Sequence, residues 1–123
     1  MKDKLVYLAT PYSHADEEVK ERRFKEASAM AAQLMEAGYL VFCPIAHSHP
    51  IEYYGMPDLK SGDWWLRQDF AILKHCDILM VYEMPGWNIS YGVKKEIEFA
   101  KEHGIPIKYI KLKDVVEQME LFS

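Results

Sequence analysis

Long apolar runs are missing from this 123-residue chain. No stretch approaches the roughly 20 consecutive apolar residues that a membrane-spanning helix needs. The N-terminus lacks the basic, apolar and small-residue succession of a secretory leader, so a cytoplasmic setting is expected. Cysteine is scarce. Cys43 and Cys76 fall at the end of one expected strand and the start of another, and read as reduced core thiols rather than a disulfide framework. An excess of basic charge is missing too. A net charge of −4 and a pI near 5.7 exclude a phosphate grip on a nucleic acid polymer or an anionic membrane surface. Small phosphorylated ligands stay open, because a pocket need not follow the global charge. There is no repeat, linker or low-complexity segment, so residues 1–123 are expected to form one domain with its own core. Metal-ligand spacings such as H-E-x-x-H or paired C-x-x-C are also absent. His47-x-His49 near Cys43 and Asp58 is the nearest approach to a metal site, and its specificity is low. No metal or cofactor is expected.

What is present alternates between strand and helix. Lys4 to Ala9 is a short apolar run stopped by Thr10-Pro11, and Tyr39 to Cys43 is another stopped by Pro44. Asp77 to Tyr82 and Pro106 to Leu112 supply two more. A helix is expected over Asp16 to Ala37, with Phe24, Ala27, Met30, Ala31, Leu34 and Met35 as its apolar stripe and Gly38 as its stop. Further helices are expected over Asp63 to Lys74, with Asp63 as N-cap, over Gly92 to His103, and over Asp114 to Phe122. The segment from Pro44 to Gly62, rich in Pro, Gly, His and Tyr, reads as a long irregular binding loop. Strands apolar along their length and separated by helices imply an α/β three-layer sandwich around a parallel sheet of 4–5 strands, flavodoxin- or Rossmann-like. Ligands bind such sheets beyond the carboxyl ends of the strands. Here those ends carry Thr10-Pro11-Tyr12-Ser13, the segment after Cys43, and Pro85-Gly86-Trp87.

Two carboxylates fall where apolar residues belong. At 100° per residue, Val93, Ile97, Phe99 and Ala100 share one arc of their helix, and Glu96 lies inside it. Asp69 lies likewise within the arc of Trp65, Leu66, Phe70, Ile72 and Leu73. A carboxylate turned to the core costs stability unless it is paired or used. Glu96 also fits a rim or helix-start acid, and Asp69 a structural ion pair. Two such acids flanking one strand suit glycosidic chemistry, in which one group attacks the anomeric carbon and the other manages the leaving group's proton.

These residues carry a family resemblance. Val6-Tyr7-Leu8-Ala9-Thr10-Pro11-Tyr12, the Asp69-x7-Asp77 spacing, Ser90-x-Gly92-Val93-x-x-Glu96 and Ala100-x3-Gly104-x-Pro106 together resemble the nucleoside 2-deoxyribosyltransferase superfamily, which includes the 2′-deoxynucleoside 5′-phosphate N-hydrolases. The resemblance runs over about residues 5 to 110, and the Glu96 motif is its most specific part. It implies that Glu96 is the nucleophile of a covalent glycosyl-enzyme and that Asp69 assists departure of the base; Tyr7 fits either a phenol hydrogen bond that orients Glu96 or plain core of the first strand. Its position near a helix N-terminus is expected to keep Glu96 ionised. Ser90 stands six residues before Glu96, where transferases acting on free nucleosides carry an acid. A serine hydroxyl with adjacent helix N–H groups suits a 5′-phosphate, which favours a nucleoside 5′-monophosphate; Ser90 fits a plain N-cap equally well. The first loop has no Gly-rich phosphate cradle, which counts the other way, and Arg22 and Arg23 offer themselves as a substitute. Gly92, Thr10, Pro11 and Tyr12 are the remaining expected substrate contacts, with His47 hydrogen-bonding the substrate and Trp87 stacking on the base. Trp64, outside its helix's apolar arc, suits a subunit contact, and the resemblance implies a homodimer or larger. A nucleotide-binding sensor without turnover is the competing reading, and a hydrolase using metal on His47 and His49 a third.

Overall fold

The computed structural model describes residues 3–55 and 62–113. Four strands, β1 (Leu5–Ala9), β2 (Leu40–Phe42), β3 (Ile78–Tyr82) and β4 (Ile107–Ile110), form one parallel sheet in the order β2-β1-β3-β4. Val6 pairs with Val41 on one side and Ile78 on the other, and Met80 pairs with Lys108. Helices α1 (Glu17–Glu36), α2 (Pro44–Tyr54), α3 (Gly62–Leu73) and α4 (Tyr91–Glu102) connect or flank the strands. The expected α/β three-layer, flavodoxin-like architecture is therefore the observed one.

Alternation along β1 explains the two cores. Val6 and Leu8 face α1 and α2, packing with Ala27, Met30, Leu34, Ile78 and Met80. Tyr7 and Ala9 face the other way, with Leu73, Leu79, Val81, Val93 and Ala100 under α3 and α4. Each fully buried Leu, Met or Val contributes about 1.5–3 kcal/mol. Both cysteines are buried and free, as a reduced core requires. No helix among the described residues is long and apolar enough to cross a membrane.

Asp16 caps α1, its Oδ1 accepting from the Glu18 amide at 2.8 Å, so the helix starts where the sequence places it. Met35, assigned to the buried stripe, is 52% exposed, because the buried row of α1 is Ala27, Met30, Ala31 and Leu34 and Met35 lies one helical step beyond Leu34. Asp63 is not the cap of α3; it lies inside the first turn and accepts from the Tyr91 hydroxyl at 2.8 Å. The largest departure is α2, which occupies residues read as irregular loop. Pro44 is its first residue, where a missing N–H and a fixed φ suit a helix start. Pro50 inside it is tolerated because Ile45 and Ala46 pack on the core and its polar side chains bond to α1. The helix expected over Asp114 to Phe122 lies outside the described residues.

Candidate active site

Strand order reverses direction at β1 and β3, and the crevice beyond their carboxyl ends opens a cavity of about 370 Å³. Its size suits a small-molecule ligand. One wall comes from α3 and α4. Ser90 caps α4, its Oγ accepting from the Val93 amide at 3.2 Å. That phase puts Val93, Glu96 and Ala100 on the buried face, three and four residues apart, and leaves Glu96 only 5% exposed. Tyr7, wholly buried on β1, donates its hydroxyl to Glu96 Oε2. Asp69 projects from α3 into the same cavity and interacts electrostatically with both Glu96 and Tyr7.

Burial dominates the charges here. It pushes the Glu96 carboxyl up to about 8; the Tyr7 hydrogen bond pulls down and the Asp69 charge pushes up further. Burial likewise raises Asp69 to about 7. Tyr7 is raised well above the usual phenol range, by burial first and then by Glu96, so it stays a donor. The expectation that a helix N-terminus keeps Glu96 ionised is therefore corrected. Glu96 is the sixth residue of α4, beyond the first turn where the helix field acts, and its loss of water outweighs that field.

The opposite wall comes from α1 and α2. Ser48 and Glu52, one turn apart on α2, line the cavity with Lys20 of α1. Lys20 Nζ lies 3.2 Å from Glu52 Oε1, and the Tyr12 hydroxyl donates to Glu52 Oε2 at 2.9 Å. Tyr12 also meets His49 Nδ1 at 2.6 Å, and His49 Nε2 lies 2.8 Å from Glu21. Between the walls sits Thr10, 4% exposed, whose Oγ1 is buried without a hydrogen-bond partner.

The structure thus brings Glu96, Asp69, Ser90, Gly92, Thr10 and Tyr12 to one cavity, with Tyr7 directly behind Glu96. Pro11, His47 and Trp87 are not in its lining. Pro11 is fully buried and shapes the strand end. His47 is exposed beside Phe42, because it precedes the cavity-facing Ser48 by one helical step. Trp87 packs against Tyr109 with ring centroids 5.5 Å apart. Trp65, which the sequence assigns to plain core, lines the cavity, and Trp64 stands edge-on to it at 4.8 Å. Arg23 donates to the Ser13 carbonyl at 3.0 Å and presses on Gly86, where its Nη2 would stand 2.6 Å from an added Cβ. It ties two loops together; Arg22 is exposed. Neither lines the cavity, so neither substitutes for a phosphate cradle. Two histidines two residues apart on a helix point about 200° apart, so His47 and His49 do not converge on one ion. Among the described residues no cluster of three or more His, Cys, Asp or Glu could hold a metal; Asp58 lies outside them. Lys20, Ser48, Glu52 and Trp65 are among the lining residues that sequence reasoning missed, as are His14, Ile45, Ile89 and Tyr91. A helical phase over residues 44–54 was the signal that could have found Ser48 and Glu52.

The chain belongs to the family described as Domain of unknown function (DUF1937), whose model matches residues 4–111. No curated protein matches it. Among solved structures, a 2-deoxyribosyltransferase from the psychrotolerant bacterium Bacillus psychrosaccharolyticus is similar at a TM-score of 0.61 and 20% identity, over 87% of this chain and 72% of that one. At that identity the likeness establishes a shared fold.

Proposed function

We propose that this DUF1937 protein cleaves or exchanges the N-glycosidic bond of a nucleoside or nucleoside 5′-monophosphate, through a covalent glycosyl-enzyme on Glu96. The observation that carries this reading is the buried Glu96 carboxyl, held by Tyr7 and set beside Asp69 at the sheet's carboxyl edge. Tyr7 occupies Oε2 and leaves Oε1 for attack. Oε1 bonds to the anomeric carbon as the carbon–nitrogen bond breaks. The bond's electron pair leaves with the base, and the Asp69 carboxyl supplies the proton that neutralises it. A water then attacks the same carbon, gives its proton to the Asp69 carboxylate, and frees Glu96 as the ester breaks. A second base in place of water makes the reaction a transfer.

The Asp69 value of about 7 suits a group that gives and takes a proton near neutrality, whereas Glu96 attacks only in its ionised form and so works best once its own proton is lost. Trp65 offers the base an apolar face, and Thr10, Ser90, Gly92 and Tyr12 complete the contacts. Assembly into a dimer or larger oligomer, with Trp64 at the contact, is part of the same reading. Chromatography of the free base after incubation with nucleosides, deoxynucleosides and their 5′-monophosphates tests it, with and without an acceptor base. Base release that disappears in Glu96→Gln is the expected result. Binding without release from any substrate would instead favour a nucleotide sensor on this fold.

A further inference from the structure

Two polar groups in the cavity play no part in the bond-breaking step, and they come from the other side of the sheet. Glu96 and Asp69 reach the crevice from α4 and α3, whereas Lys20 and Glu52 reach it from α1 and α2. We propose that Lys20 and Glu52 form the base-reading end of the cavity, taking a nucleobase edge that carries an N–H donor beside a nitrogen or oxygen acceptor. The inference rests on the nucleoside reading above and names which part of the substrate this wall receives.

Three features support it. The pair is set in place before any ligand arrives. Glu52 is fixed by Lys20 at 3.2 Å and by Tyr12 at 2.9 Å, and the Lys20 and Glu52 side chains are only 15% and 17% exposed. Residual bonding capacity is left over, because a carboxylate has about four acceptor positions and an ammonium three donors. Finally, the Lys20 charge is already balanced, by Glu52 at 3.2 Å and by the exposed Glu17 carboxylate at 3.7 Å. A phosphate drawn to Lys20 would meet the Glu52 carboxylate 3.2 Å from the ammonium, whereas a neutral edge with donor and acceptor side by side satisfies both. Tyr12, with Lys20 Nζ 5.1 Å from its ring centroid, closes the same end with an aromatic face. A substrate whose anomeric carbon lies at Glu96 thus keeps the glycosidic nitrogen of its base at Asp69 and one base face on Trp65, and turns the far edge of the base to α1 and α2.

Calorimetric binding, which needs no turnover, tests the assignment. The ligands are a panel of nucleosides and 1,2-dideoxyribose, a sugar with no base. Glu52→Gln and Lys20→Met should each weaken nucleoside binding roughly 10- to 100-fold and leave the base-free sugar unchanged. The paired exchange Lys20→Glu with Glu52→Lys keeps the tie between α1 and α2 while reversing donor and acceptor. It should stay folded, with a melting temperature lowered by the lost Tyr12–Glu52 hydrogen bond and the new approach to Glu17, and lose the wild-type order of base preference. Equal weakening of nucleoside and sugar, or no weakening of either, overturns the base-reading role. Unchanged base preference in the exchanged pair overturns it as well. Nucleoside binding that follows these expectations without any base release would sink the glycosidase reading alone, and no nucleoside binding at all would sink both.

Discussion

On the α1/α2 wall of the cavity, Lys20, Glu52, Tyr12, His49 and Glu21 form an unbroken chain of ion pairs and hydrogen bonds. The α3/α4 wall has two carboxyls near each other and one phenol, which holds Glu96. The first wall is self-sufficient and keeps its shape without a ligand. The second holds two acids away from water at a cost in stability, which is the pattern of groups kept for chemistry. Substitutions on the two walls should therefore act in opposite ways on stability and differently on rate.

Glu96→Gln gives the sharpest contrast. On the proposed mechanism it should lower base release roughly a thousandfold or more, since the attacking carboxylate is gone while Tyr7 retains an acceptor. It should also stabilise the fold in a pH-dependent manner. The folded value of about 8 lies above the ordinary value of 4.5, so the folded protein holds this proton more tightly than the unfolded chain. Below 4.5 both states are protonated and nothing is lost. As pH rises from 4.5 to 8 the unfolded chain ionises first and stability falls; above 8 the full cost is present. Thermal melts should thus show the variant gaining over wild type at pH 9, by an amount on the order of a few kcal/mol, and matching it near pH 4. A pH-independent difference would remove the argument that burial sets this group's charge.

Asp69→Asn should lower the rate about a hundredfold, as befits loss of a proton donor. Its pH profile is more telling than its rate. Wild-type kcat/KM should pass through a maximum, because Glu96 attacks ionised and Asp69 donates protonated, and its rising limb belongs to the coupled pair, whose two values lie near 7 and 8. The Asp69 charge pushes Glu96 up, so the limb should move to lower pH in Asp69→Asn. Tyr7→Phe should cost about tenfold and move the limb to higher pH, because the lost hydrogen bond favoured the charged form. Opposite displacements from the two variants would identify Glu96 as the titrating group; parallel ones would not.

The sequence made the acid wall legible and hid the other. Glu96 and Asp69 stand out because a carboxylate interrupts a regular apolar arc, and α3 and α4 follow helical periodicity from end to end. The strands were readable as short apolar runs between punctuating prolines and glycines. Helix α2 was not, since Pro44, Pro50, two histidines and two tyrosines all argue locally for a loop. Its helical state is decided by contacts with α1 and β1 that local propensity cannot report. Once the segment is taken for a loop, its helical phase is lost, and His47 is chosen where Ser48 and Glu52 do the facing.

Asp77 sharpens the comparison further, because it and Asp69 are the two acids of one sequence spacing and the structure gives them different surroundings. Asp77 is exposed at the start of β3, and its Oδ2 accepts from the Leu5 amide at 2.8 Å while its own amide donates to the Leu5 carbonyl at 2.8 Å. That double contact fixes the start of β1 against β3 at the end of the sheet away from the cavity. Asp77→Ala should therefore lower stability by about 1 kcal/mol in denaturant melts, through one lost side-chain hydrogen bond. It should leave the pH limb of kcat/KM where it is in wild type. A displaced limb would mean that β1 shifts along β3 when its clamp is cut, carrying Tyr7 relative to Glu96. An unmoved limb would separate the acid that sets strand register from the acid that works in the cavity.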